Sequence, residues 1–218
     1  LLGETLHGDY NQWVNDQMLH SCTNYECYKG LHSALNSMNL FEIVHSLKRQ
    51  FGPEQWTLYK GRHLLCFADN HDVTRAASIL HNPAHLPLIY GLVFGMPGIP
   101  CVYYGSEWGA AGDKSQGDDA LRPCFDKPEW NALTDQIAAM AKAHRESEAL
   151  CFGDFKDLVL TNKQTIFQRR TDGQRVLVAV NADSQPYTAH FDAGCGLAVD
   201  LLTVETHDFG GGSELPAY

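Results

Sequence analysis

Three stretches of the chain repeat one design: an apolar run, then clustered polar residues, then a loop or a helix. They are Leu1-Leu2-Gly3-Glu4 with His7, Leu64-Leu65-Cys66-Phe67 with Asp69-Asn70-His71-Asp72, and Ile99 to Tyr104 with Gly105-Ser106-Glu107. Strands that end in polar groups where the chain turns away are characteristic of α/β folds. In a parallel barrel such ends converge on one face, so residues far apart in sequence meet in one pocket. A Glu and an Asp delivered in this way are the raw material of glycoside hydrolysis, in which one carboxyl group protonates the leaving oxygen.

Length and charge narrow the alternatives. At 218 residues with 44% hydrophobic content, the chain can bury a core as one domain or two small ones. Its 26 acidic and 16 basic residues give a net charge of −10, without the Lys/Arg cluster that nucleic acid or an anionic membrane surface requires. The seven cysteines are scattered, and Cys22 and Cys27 have no second pair at zinc-site spacing. Cys66 and Cys101 lie in apolar runs and read as small core residues. With no Asn-x-Ser/Thr sequon, this cysteine usage points to a reducing, cytoplasmic setting. The apolar stretch from Leu86 to Cys101 is broken by Pro97, Gly98 and Pro100, so no segment reads as membrane-spanning. The chain opens without Met on what reads as the tail of a strand already under way, and truncation is expected there.

The pattern predicts a helix over Ser33 to Phe51 and strands over His63 to Phe67 and Ile99 to Tyr104. It also predicts a buried helix over Leu86 to Phe94, a helical start at Val73, and an amphipathic helix over Pro128 to Glu148 with Trp130, Leu133, Ile137, Met140, Ala141 and His144 on one face. Residues 106 to 124 form a long loop rich in Gly, Asp, Ser and Ala, and such loops are usually functional. From about Cys151 short strands follow: Leu158–Thr161, Thr165–Arg170, Val176–Asn181, Tyr187–Phe191 and Leu197–Leu202. The expected organisation is an α/β unit over residues 1–150 and an all-β unit over 151–218.

The motifs themselves resemble those of the α-amylase family, glycoside hydrolase family 13. LLGETLH resembles the family's motif at the end of the fifth barrel strand, FADNHD the motif after the seventh, and GIPCVYYGSEWG the eighth-strand motif. The resemblance implies an α/β fold: strands 5–8, the C-terminal half, of a TIM (β/α)8 barrel, followed by a β-sandwich domain. It implies Glu4 as proton donor and Asp72 as the carboxylate that stabilises the transition state, with His71 orienting the sugar. The substrate would be an α-glucan oligosaccharide with α-1,4 or α-1,6 bonds, and the alternatives to a hydrolase are a transglycosylase of the same family or a non-catalytic carbohydrate-binding relative. The family's nucleophilic Asp, with its companion Arg, would lie upstream of Leu1, and no Gly-x-Arg-x-Asp pattern occurs here. The isolated chain is therefore expected to be inactive, and to depend on the other half of the barrel or to self-associate through unpaired strand edges.

Around these residues, Asn70 is expected to support the turn, His7 and Trp108 to lie near the pocket, and Arg75 to brace a carboxylate. Tyr104, with Tyr103, reads as core or as a platform for a sugar ring. The alternative for Asp72 is a helix N-cap. Glu107 reads as a substrate contact or as an ion-pair partner of Arg122 or Arg75, the structural reading being favoured. Asp113, Asp118 and Asp119 have calcium-type oxygens but match no EF-type loop, so they read as a solvated acidic loop and no cofactor is expected.

Overall fold

The computed structural model describes all 218 residues, Leu1–Tyr218. Four short strands lie side by side in chain order, all parallel. β1 (Leu2–Gly3) pairs with β2 (Ser21–Cys22), a bridge from Thr23 to Leu65 carries the ribbon across, and β3 (Leu65–Phe67) pairs with β4 (Ile99–Cys101). Parallel neighbours need a crossover, and the intervening segments supply it. Between β2 and β3 stand α1 (Tyr25–Asn36) and α2 (Phe41–Phe51); between β3 and β4 stand α3 (Ala76–Ile79) and α4 (Leu86–Gly95). β1 and β4 each pair on one side only, and Leu1, Leu2, Leu6 and Ile99 are exposed. After β4 the chain runs through α5 (Ala132–Glu146) and α6 (Glu148–Phe152) into antiparallel structure.

That second part is a three-stranded sheet of β5 (Asp154–Leu160), β6 (Gln164–Arg170) and β7 (Arg175–Asn181), with β6 central. Two pairs accompany it: β8 (Tyr187–Ala189) with β11 (Ser213–Leu215), and β9 (Leu197–Val199) with β10 (Thr206–Asp208). β6 is covered on both faces. Phe167 joins the main core with Phe155, Ile89, Val93 and Phe94, while its neighbour Ile166 packs with Ala189 and Leu215. Burying a side chain such as Phe167 contributes about 1.5–3 kcal/mol. The main core runs from Tyr10 to Ala182 and crosses the junction between α6 and β5. Arg169 fastens that junction. It is fully buried, and its guanidinium donates to Gly153 O at 3.2 and 3.0 Å and to Gly95 O, at the end of α4, at 2.9 Å. Burial lowers its pKa to about 10, which leaves it charged at neutral pH.

Several boundaries differ from the sequence expectation, each for a local reason. The helix expected over Ser33 to Phe51 is two helices. Met38 takes φ +52°, and Asn39 N–H turns back to Ala34 O at 2.8 Å, a left-handed C-terminal stop. α5 starts at Ala132 rather than Pro128, because Asn131 and Thr134 form a reciprocal capping box. Trp130 therefore lies outside the helix and is 72% exposed, its Nε1–H bonded to Asp135. The helical turn expected from Val73 is a single turn, because residues 69–75 build a polar loop first. β2, β10 and β11 were not expected; β2 is two residues long, too brief for an alternation to register. Cys66 is buried and Cys101 half-buried, and all seven cysteines are free thiols. No helix is long and apolar enough to cross a membrane.

Candidate active site

Each of the four parallel strands delivers polar residues at its C-terminal end. Glu4 follows β1, Asn24 and Tyr25 follow β2, Asn70 to Asp72 follow β3, and Tyr103 and Tyr104 follow β4. Three of these ends are joined by one line of hydrogen bonds. Tyr25 Oη lies 2.9 Å from Glu4 Oε1, Asn70 Nδ2 donates to Tyr25 Oη at 2.9 Å, and Asp72 N–H donates to Asn70 Oδ1 at 2.9 Å. The last bond is the turn support expected of Asn70. Glu4 is exposed, at the open side of the ribbon.

Asp72 does not cap a helix. Its Oδ2 lies 3.1 Å from His71 Nε2 and its Oδ1 2.7 Å from Arg122 Nη2. Arg122 also donates from Nε to the His71 carbonyl at 3.1 Å, so the loop after β4 clamps the tip after β3. The N-terminal donor of α3 is satisfied by Asp69 instead, whose Oδ2 accepts from Ala76 N–H at 2.7 Å.

Beneath this tip lies a buried polar floor. Asp69 is 2% exposed and Arg75 is fully buried; Arg75 Nε sits 3.3 Å from Asp69 Oδ2. Ser106 donates to Asp69 at 2.7 Å, and Arg75 donates to Ser106 Oγ at 3.0 Å and to the carbonyls of Leu121 at 3.1 Å and Tyr104 at 2.5 Å. Its guanidinium carbon stands 4.5 Å from the centre of the Tyr103 ring. Burial pushes the Asp69 carboxyl up, against the pull of Ala76 N–H, Ser106 and Arg75. The expectation that Arg75 braces a carboxylate holds, and the carboxylate is Asp69.

The remaining residues divide. Tyr104 is exposed, held by a hydrogen bond from its hydroxyl to Pro123 O at 2.9 Å and by edge contacts with Tyr103 and Phe125 at 4.7 and 5.8 Å. Together with Trp108, Arg122 and Phe125 it lines an open depression beside the Asp72 tip. His7 is exposed and its side chain makes no hydrogen bond to the rest of the chain. Glu107 pairs with neither Arg122 nor Arg75, since both cations are engaged by other carboxylates; its Oε2 is buried without a partner. Asp113 accepts from Ser115 N–H and Oγ, which holds its carboxyl below the usual range, and Asp118 is held low by Lys114. Tyr25, Asp69, Ser106 and Arg122 had no assigned place in the pocket. Asp69 and Ser106 carried a signal, their positions inside the polar clusters after β3 and β4, whereas Tyr25 and Arg122 carried none that pointed to the pocket.

Comparison with known proteins bears on the same residues. The family model described as "Alpha amylase, catalytic domain" matches residues 1–167. A cyclomaltodextrin glucanotransferase of Paenibacillus macerans is 23% identical over 146 residues, which cover 67% of this chain and 19% of that protein. A cyclomaltodextrinase of Thermoanaerobacter pseudethanolicus is 23% identical over 199 residues, 85% of this chain and 32% of that protein. Among solved structures, an Anoxybacillus α-amylase superposes with a TM-score of 0.82 at 22% identity, over 99% of this chain and 50% of the other. The cyclomaltodextrin glucanotransferase CldA superposes with a TM-score of 0.83 at 21% identity, over 100% and 48%. The chain thus spans about half of these solved structures and less than a third of the first curated relative. Its fold is that of α-amylase-family TIM-barrel enzymes, and with the catalytic-domain match covering every strand end described above, the chain belongs to the α-amylase family.

Proposed function

We propose that this chain supplies strands 5–8 and the following β-sandwich of an α-glucan-active retaining glycoside hydrolase, with the barrel part ending near residue 150. The observation that carries this reading is the line from Glu4 through Tyr25 and Asn70 to Asp72. It brings two carboxylate-bearing strand ends together on the C-terminal side of a parallel ribbon, where barrel enzymes hold their chemistry.

Glu4 protonates the leaving glycosidic oxygen and then, as a carboxylate, takes a proton from the incoming water or sugar hydroxyl. Asp72 accepts hydrogen bonds from sugar hydroxyls, and these contacts tighten as positive charge develops on the ring. His71 and Asn70 set the rim of that seat, while Tyr104 and His7 take the contacts to neighbouring sugar units. The nucleophile comes from outside these 218 residues, so the chain by itself turns over nothing. The substrates are maltooligosaccharides, cyclodextrins or starch-like glucans.

The names of the glucanotransferase relatives favour a second reading, in which a sugar hydroxyl rather than water resolves the intermediate. Maltoheptaose distinguishes the two when the chain is assayed with the nucleophile-bearing half. Redistribution of chain lengths means transfer, and net release of reducing ends means hydrolysis. In that form Glu4→Gln is expected to lower kcat by roughly 10²–10⁴-fold. The reading fails if Glu4→Gln retains native kcat, or if the 218 residues alone cleave maltoheptaose above a Glu4→Gln control.

A further inference from the structure

Tyr25 stands between the two carboxylate-bearing loops, and the direction of each hydrogen bond it makes follows from its neighbours. Asn70 Oδ1 accepts from the backbone N–H of Asp72. A backbone N–H only donates, so the oxygen of the Asn70 amide faces Asp72 and its NH2 faces Tyr25. That NH2 can only donate as well. Tyr25 Oη is therefore the acceptor from Asn70, and its own proton points to Glu4 Oε1. The three bonds run one way, from Asp72 N–H to Asn70, to Tyr25, to Glu4, an arrangement in which each bond polarises the next.

The ring is fixed as well as the hydroxyl. Tyr25 is the first residue of α1, and it meets Phe67 edge-on at 5.1 Å and Tyr28 at 6.0 Å. The ionisable groups facing its hydroxyl are Glu4 from the end of β1 and Asp72 from the end of β3, with Tyr28 on its own helix. Burial raises the Tyr25 phenol, Asn70 draws it back and Glu4 raises it further, so it keeps its proton at neutral pH.

We propose that Tyr25 is a positioning residue that decides which oxygen of Glu4 carries the acid's proton. Oε1 is committed as an acceptor, so a protonated Glu4 bears its hydrogen on Oε2. Oε2 makes no hydrogen bond within the chain and is free to meet a leaving oxygen. The same relay ties the charge state of Glu4 to the Asn70–Asp72 turn. Its catalytic meaning rests on Glu4 being the acid proposed above, whereas the relay stands apart from that reading.

The test follows the Asn70 side-chain amide by ¹⁵N NMR between about pH 3 and 7 in the native 218-residue chain, Glu4→Gln and Tyr25→Phe. In the native chain the signal moves as Glu4 ionises. Glu4→Gln loses that component and keeps only the Asp72 contribution. Tyr25→Phe, which preserves the ring and its packing, loses it too although Glu4 is still present. A Tyr25→Phe chain that retains the full Glu4-dependent movement overturns the proposal, as does a Glu4→Gln profile identical to the native one. A second measurement does not need the Tyr25 variant to fold: the Tyr25 ring carbon bearing the hydroxyl titrates at lower pH in Glu4→Gln than in the native chain. No difference there also overturns it. If the relay is present but Glu4→Gln is fully active in the turnover assay, the acid assignment fails and the relay survives. If Glu4 is essential but the relay is absent, this inference alone fails.

Discussion

Replacing Arg75 with methionine removes the cation from the floor of the site and keeps most of the side-chain volume. Arg75 is fully buried beside Asp69, which is 2% exposed and retains only Ala76 N–H and the Ser106 hydroxyl once the guanidinium is gone. Removing one partner of a buried ion pair costs about 3–5 kcal/mol, because the remaining charge is left uncompensated. The carbonyls of Leu121 and Tyr104 lose their donor in the same step. These losses share one side chain and do not add independently. A destabilisation of about 4 kcal/mol is therefore expected, and at about 2–4 °C per kcal/mol for a chain of this size the melting temperature falls by roughly 8–16 °C. Urea unfolding followed by circular dichroism measures it. The double variant Asp69→Asn/Arg75→Met removes the stranded charge and should regain roughly 1–3 kcal/mol over Arg75→Met. A loss below about 1 kcal/mol with an unchanged m-value would refute the buried-charge argument. A double variant no more stable than the single one would refute it equally.

Two further outcomes are open to measurement. Gly98 has φ +132°, and an added Cβ would lie 2.6 Å from both Cys66 Sγ and Leu64 O at the start of the β3–β4 pairing. Gly98→Ala should cost roughly 1–3 kcal/mol in a thermal melt, and an unchanged melting temperature would contradict the described approach. Glu42 accepts from the Ser33 and Ser37 hydroxyls, which lowers its pKa from the ordinary 4.5. Its stabilising contribution is complete above that unfolded value and is lost as pH falls through the lower folded value. Denaturation midpoints on the acid side should therefore fall less steeply in Glu42→Gln than in the native chain, and equal slopes would show the hydroxyl contacts to be without effect.

The strand ends could be read because they couple a local pattern to a chemical one. An apolar run followed by Glu4, by Asn70-His71-Asp72 or by Tyr103-Tyr104 states in one dimension both that a strand stops and that reactive groups begin. The strands around Phe167 and Val180 were readable for the same kind of reason, in runs of β-formers broken by turn residues, whereas β5 was expected only over Leu158–Thr161 and in fact begins at Asp154. Tyr25 was not readable. Its strand is two residues long, and nothing in Thr23-Asn24-Tyr25 tells a pocket tyrosine from a helix that begins with one. Arg122 was seen as a partner for Glu107 because sequence distance says nothing about which carboxylate a long side chain reaches.

The sequence alone therefore determined which residues stand at the ends of β1, β3 and β4 and what chemistry they can offer, since periodicity and side-chain chemistry are local properties, but it left the end of β2 unread. The tertiary structure decided the connections. Asp69 rather than Asp72 meets the start of α3, Arg122 takes Asp72, and Tyr25 joins Glu4 to Asn70. Each of these follows from the spacing and order of four parallel strands, which brings distant loops to within hydrogen-bonding reach.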